Sequence, residues 1–276
     1  MMRSLWTAAS GMRAQQSNVD TIAHNLSNVN TVGYKSEEAS FKSLLYQNLQ
    51  STSTNNAGEN KPVAAEVGLG TRIAAVTSQF TQGALMSSKN PLNIAIEGEG
   101  FFTLRMPTGE QCYTRDGSFA VSPTAQGNLL CSASGNPVLD SNGNNIYLPA
   151  NRVATDVIIE RTGYLAFAGE DGNPVRLKDA QGREIKFGLV QFNNPAGLSK
   201  NGDNNYIVTV ASGNPIPEEG NPAVTPSKTH QFYTEGSNVD VAEEMVNLIV
   251  AQRAYEMNSK AIQTTDDMMQ QANNLR

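Results

Sequence analysis

Residues 240–269 read DVAEEMVNLIVAQRAYEMNSKAIQTTDDMM, and the spacing of the apolar side chains in this stretch decides the fold. Val241, Leu248, Tyr255, Ile262 and Met269 stand seven apart. A strict seven-residue step keeps one narrow stripe of a helix apolar and suits it to pack along another helix. The same step occurs at the opposite end of the chain. Leu5, Met12, Val19 and Leu26 are seven apart, with Ala8, Ile22 and Val29 on the interleaved positions and Gln15 as a polar exception. Between the two ends lie residues punctuated by Gly, Asn and Pro, with the alternation of strands. The expected class is α+β: N- and C-terminal helices forming a coiled-coil-like inner domain, and a central, mainly β domain.

Local signals set the expected boundaries. The first helix should run from Ser4 to Asn28, about 38 Å at ~1.5 Å per residue. It should stop in Ser27-Asn28-Val29-Asn30-Thr31-Val32-Gly33, a run of turn formers closed by glycine. Ser36 is placed to cap a short second helix carrying Phe41, Leu44, Leu45 and Leu49, with Glu37 and Glu38 in its first turn. Residues 50–70 lack periodicity, and the Ser/Thr/Asn tract at 51–56 cannot bury itself, so an extended arm is expected there. From Thr71 to Tyr233 the expected strands are Ile73–Thr77, Leu92–Glu97, Phe101–Arg105, Gln111–Arg115, Ser118–Val121, Asn128–Cys131, Val157–Glu160, Tyr164–Ala168, Ile185–Gln191 and Tyr206–Val210. The closing helix should begin after Gly236, capped by Asp240 or Asn238, and reach Asn273, with Glu256 and Lys260 as an i,i+4 pair. The expected parts are therefore 1–35, first inner helix; 36–71, connecting segment with the arm; 72–233, central β domain; and 234–276, second inner helix.

Composition narrows the function classes. A formal charge of −6 argues against nucleic acid and against an anionic membrane surface. No run approaches the ~20 apolar residues of a membrane span. Residues 1–14 are a poor match to a secretory signal, so export without a cleaved signal peptide is the expectation if the protein acts outside the cytoplasm. Cys112 and Cys131 read as two strand thiols, or as one bridge closing a hairpin.

Catalytic and metal-binding patterns are missing. His24 and His230, the only histidines, belong to no ligand-spaced cluster. There is no phosphate-binding glycine loop and no nucleophile elbow. Glu97 with Glu99, Glu218 with Glu219 and Asp266 with Asp267 are acid pairs that read as solvated charge rather than a glycosidase dyad. Asp140-Ser141-Asn142-Gly143-Asn144 lacks the later bidentate Glu of a calcium loop and reads as a turn. The expectation is a protein that is not an enzyme and takes no cofactor.

The helical ends point to association instead. One narrow seam buries too little to offset the entropy of ordering some 25 residues, and two paired helices leave one side of each seam bare. Charge favours their pairing: Arg3, Arg13 and Lys35 stand against Asp20 at one end, and Asp240, Glu243, Glu244, Glu256, Asp266 and Asp267 outnumber Arg253, Lys260 and Arg276 at the other. The ends are thus expected to order when many copies pack together. A helical hairpin folded on its own β domain is the alternative.

Residues 22–35, IAHNLSNVNTVGYK, resemble the amino-terminal signature of the bacterial flagellar rod and hook proteins. Ser237-Asn238-Val239-Asp240 through Gln263 resembles their carboxy-terminal signature, and Asn90–Phe102 with Tyr113–Phe119 matches the centre. Ser4-Leu5-Trp6-Thr7-Ala8 and Val67-Gly68-Leu69-Gly70-Thr71-Arg72 make the chain look most like the distal rod branch. His24, where the family often has Asn, and residues 151–226 match less well.

That resemblance implies a structural subunit of the basal-body distal rod in the periplasm. Such a subunit is exported by the flagellar type III apparatus and polymerises with itself into a rigid tube that carries torque from motor to hook and encloses an export channel. Other rod subunits, hook subunits and the surrounding ring proteins are the implied partners, with no nucleic acid and no membrane insertion. Leu5, Met12, Val19, Ile22 and Leu26 would pack with Val241, Leu248, Tyr255, Ile262 and Met269. Asn25, Asn28 and Gly33 would shape the turn out of that layer. The arm containing Tyr46, Ser51, Asn56, Pro62 and Gly70 would stiffen the rod. A hook or proximal rod subunit is the alternative within the family. A secreted glycan-binding or peptidoglycan-acting β protein is the alternative outside it.

Overall fold

The computed structural model describes residues 2–50, 65–124, 127–149, 156–168, 174–179, 182–222 and 224–274. The chain is α+β, with one long helix at each end and a β-rich centre. It divides into a unit of residues 1–27, 37–78 and 240–276, and a second of residues 28–36 and 79–239.

In the first unit, helix α1 spans Met2–Ser27 and helix α2 spans Val241–Asn274. Asp240 caps α2: its Oδ1 accepts the N–H groups of Ala242 at 2.9 Å and Glu243 at 3.4 Å, two of the donors a helix start leaves open. Glu256 pairs with Arg253, three residues back, rather than with Lys260. The short helix expected after Ser36 is not formed. Strands β1 (Glu37–Ser43) and β2 (Tyr46–Gln50) occupy that stretch, opposite β3 (Ala65–Gly68) and β4 (Thr71–Ser78). β1 pairs antiparallel with β4 and β2 with β3. The Leu44 N–H donates to the Gly70 carbonyl and the Leu69 N–H to the Leu45 carbonyl, so the two pairings run on as one ribbon. The β-branched run Thr71-Arg72-Ile73-Ala74-Ala75-Val76-Thr77 offers residues 37–43 a partner, and that pairing overrides the local helical spacing. The expected connecting segment from 36 to 71 thus clusters with the two helices from residue 37 on.

The second unit is built on a six-stranded antiparallel sheet in the order Ser199–Lys200, Asn205–Ile207, Gln111–Thr114, Phe101–Arg105, Leu189–Gln191, Ile216–Pro217. Alternation along Phe101–Arg105 divides the aromatic side chains between its two faces. Phe102 enters the larger core with Leu104, Phe119, Leu130 and Phe187. Phe101 enters a smaller one with Tyr113, Phe192 and Tyr206. Edge-to-face pairs lock both: Phe102–Phe119 at 5.0 Å and Tyr113–Phe192 at 5.0 Å between ring centroids. The strand expected over Ile185–Gln191 is ordered as a strand only at Leu189–Gln191, with isolated bridges at Lys186 and Phe187 before it. Cys112 and Cys131 are two separate buried thiols, which removes the hairpin bridge. Asp140–Asn144 is a turn: the Asp140 carboxylate accepts the Asn142 and Asn144 N–H groups at 2.9 and 2.7 Å, and Gly143 has φ +80°.

Candidate assembly surface

The helix pair and its ribbon carry most of the residues that the sequence singles out. α1 and α2 run antiparallel, as two contacts show. Asn25, near the end of α1, meets Glu244, near the start of α2, and Gly11 meets Asn258. Gly11 lies so close that a Cβ there would sit 2.9 Å from the Asn258 amide nitrogen. A small residue on one helix lets the other approach. Ala8, Ala14 and Ile22 are buried on α1, and Ala251 and Thr265 on α2.

This geometry decides which stripe of α2 does the packing. Leu248, Ile262 and Met269 are half-buried, as are Leu5, Met12, Val19 and Leu26 on α1. Val241 and Tyr255 are 39% and 41% exposed. The companion stripe Glu244, Ala251, Asn258, Thr265, also seven apart, supplies both fully buried positions of α2. Only two of its four members, Ala251 and the methyl of Thr265, offer apolar surface, so its signal is size rather than hydropathy.

Among the described residues, α2 carries a large exposed apolar surface. Met245, Val246, Ile249, Val250 and Met257 are each more than half exposed. Trp6 on α1 is 74% exposed. The ribbon adds Leu45, Tyr46 and Leu49, all more than half exposed. A two-stranded ribbon is marginal alone in water, and contiguous bare apolar area of this kind marks an association surface.

Polar side chains fix the helix ends. Asn25 is 1% exposed. Its Nδ2 donates to the Glu37 carbonyl at 2.8 Å and to Glu244 Oε1 at 2.7 Å, while its Oδ1 accepts the Glu37 N–H at 2.8 Å. One side chain thereby fastens α1, the first residue of β1 and α2. Burial raises the Glu244 carboxyl above its ordinary pKa, with the Asn25 bond pulling it down and the charge of Glu243 raising it. Asn28 accepts the Thr31 hydroxyl on its Oδ1 at 3.1 Å. Gly33 has φ +68°, and a Cβ there would sit 2.8 Å from the Asp116 nitrogen. Tyr46 pairs with Gly68 in the ribbon. Gly70 has φ +118°, with Ser10 of α1 too close to admit a Cβ. Ser51, Asn56 and Pro62 lie outside the described residues. Among the described residues no cluster of three or more His, Cys, Asp or Glu could hold a metal ion, and no helix is long and apolar enough to cross a membrane.

Comparison with known proteins places this architecture. The chain matches the model of flagella basal body rod proteins over residues 5–35, the flagellar hook protein FlgE/F/G D1 domain over residues 95–167, and the flagellar basal body rod FlgEFG protein C-terminal region over residues 230–275. It is 44% identical over 280 residues to the flagellar basal-body rod protein FlgG of Borreliella burgdorferi, covering 100% of this chain and 99% of that one. The chain belongs to the flagellar basal-body rod protein family. Other relatives bearing the same name agree. That of Buchnera aphidicola (subsp. Baizongia pistaciae) is 39% identical, with 98% of each chain covered. That of Agrobacterium fabrum is 40% identical, with 97% of each covered. The protein is a structural component of the flagellar rod in the basal body, most like the distal rod members. The match over residues 5–35 and 230–275 falls on the helices that carry the bare apolar surface.

Proposed function

We propose that this chain polymerises with itself into the stiff helical tube of the distal rod, which carries torque from motor to hook and leaves a central export channel. The observation that carries the reading is the aliphatic surface of α2: Met245, Val246, Ile249, Val250 and Met257, bare in the single chain. Burying each such side chain is worth about 1.5–3 kcal/mol. Packing against further helix pairs covers it, and a closed ring of pairs gives a tube wall. The subunit-packing role extends to Leu5, Met12, Val19, Ile22, Leu26, Leu248, Ile262 and Met269, which complete each pair, and to Val241 and Tyr255, which lie open to neighbours. Asn25, Asn28 and Gly33 set the direction in which the chain leaves the tube wall. The arm, from Tyr46 to Gly70 and including Ser51, Asn56 and Pro62, wedges between copies and stiffens the tube. Neighbouring rod, hook and ring proteins meet the β unit. The subunit reaches the periplasm through the flagellar type III apparatus with its amino terminus retained.

Sedimentation velocity and electron microscopy at rising concentration test this reading. The wild-type chain should form tubes, and Ile249→Asp should stay monomeric with its circular dichroism unchanged. A wild-type chain that stays monomeric throughout, or an Ile249→Asp variant that forms the same tubes, would contradict the proposal.

A further inference from the structure

Within the β-rich unit, three chain stretches far apart in sequence are fastened by two side chains. Glu235 is fully buried, and so are Lys35 and, at 2% exposure, Arg115. Lys35 Nζ lies 2.6 Å from Glu235 Oε1 and donates also to the Thr81 carbonyl at 2.7 Å. The Gly83 N–H donates to the same Oε1 at 2.9 Å. Arg115 Nη1 reaches Glu235 Oε2 at 3.4 Å, with its guanidinium 4.9 Å from the centre of the Phe101 ring. Three residues beyond Glu235, Asn238 repeats the pattern with neutral groups. Its Oδ1 accepts the Ser36 N–H at 2.7 Å, and its Nδ2 donates to the Gln79 carbonyl and the Thr81 hydroxyl, both at 2.8 Å. Backbone bonds complete the seam: Gly33 N–H to the Glu235 carbonyl, Gln79 N–H to the Ser36 carbonyl, and Gly236 N–H to the Ala84 carbonyl, each at 2.8 Å. Gly83 admits no side chain, because a Cβ would run into the Gly236 carbonyl.

The fastened stretches are the ends of this unit's chain. The chain passes from it to the helix-bearing unit after Ser36, returns at Gln79 and leaves again after Val239. Removing the Glu235 carboxylate would leave two buried cations without their shared counter-charge, which is strongly destabilising. Directional, charge-assisted bonds resist sliding in a way that an apolar contact does not. Arg115 Nε has no hydrogen-bond partner among the described residues, so within this seam the guanidinium is anchored through its contact with Glu235.

We infer that Glu235 and Asn238 form a clasp that makes residues 33–36, 79–84 and 234–238 one cooperative body, so that a load entering the β unit through any one stretch is shared by all three. The clasp is a property of the single chain and does not depend on polymerisation.

Hydrogen exchange read by mass spectrometry on the full chain tests it. In Asn238→Ala, exchange should rise at least tenfold in all three stretches together, while Phe101–Arg105 and Gln111–Thr114 keep their wild-type protection. Glu235→Gln should give the same pattern with a larger rise; if that variant does not fold, Asn238→Ala decides alone. A rise confined to 234–238, a uniform rise through the β unit, or no rise overturns the clasp.

Discussion

Replacing Asn25 by alanine should loosen the helix pair without touching the β unit. The side chain is 1% exposed and makes three bonds of 2.7–2.8 Å, two with the Glu37 backbone and one with the Glu244 carboxylate. A neutral hydrogen bond contributes about 0.5–1.5 kcal/mol net, and one to a charged group about 1.5–3 kcal/mol. Two of the first kind and one of the second come to about 2.5–6 kcal/mol, well beyond the roughly 0.5 kcal/mol scatter of ordinary surface substitutions. The assay is urea unfolding of the full chain at a concentration that keeps it monomeric. Helix is followed at 222 nm and the β core by near-ultraviolet signals from Tyr113 and Phe102. The helical midpoint should fall and the β midpoint stay. Asn25→Asp separates the causes: it keeps the acceptor for the Glu37 N–H, loses both donations and faces Glu244 with a second carboxylate, so its deficit should shrink as pH falls toward 4. A loss below about 1 kcal/mol in Asn25→Ala, or a β midpoint that falls equally, would refute the reasoning.

Other outcomes follow from single groups. Glu244→Gln should flatten part of the pH dependence of the helix pair. Burial holds the native carboxyl above its ordinary pKa, so the folded state binds the proton more tightly than the unfolded one. This group's contribution to stability therefore grows as pH falls through the window just above its unfolded pKa and declines as pH rises; thermal melts between pH 4 and 7 read it. Gly33→Ala, at φ +68° with a backbone nitrogen 2.8 Å from the new Cβ, should cost more than about 1 kcal/mol, read by the β-unit melt. Cys112 should resist iodoacetamide at pH 8 until the chain unfolds, because burial pushes its thiol up to about 11 and leaves about one part in a thousand as thiolate.

The sequence made the helical ends and most central strands legible because each announces itself by local period. The ribbon was not legible. Phe41, Leu44, Leu45 and Leu49 carry helix-like spacing after a cap-like Ser36, and only pairing with residues 65–78 turns them into strands. On α2 the seven-residue step was readable, but the choice between its two interleaved stripes was not. That choice rests on the Gly11–Asn258 approach, which leaves Val241 and Tyr255 bare and buries Ala251 and Thr265. Glu235 and Lys35 were invisible as partners because 200 residues separate them, and a lone buried charge has no periodic signature. Asn25 stood within a recognisable motif, yet its three hydrogen bonds to Glu37 and Glu244 are a fact of three dimensions alone.

Oxidation of methionine in monomer and in assembled fibre tests the central claim most directly. Met245 and Met257 are 53% and 67% exposed in the single chain and should react readily with peroxide there. In the fibre the account predicts at least a tenfold slowing at both, read by mass spectrometry of the tryptic peptides. Equal rates in monomer and fibre would mean that the bare side of α2 faces solvent in the assembly and that something else holds the copies together.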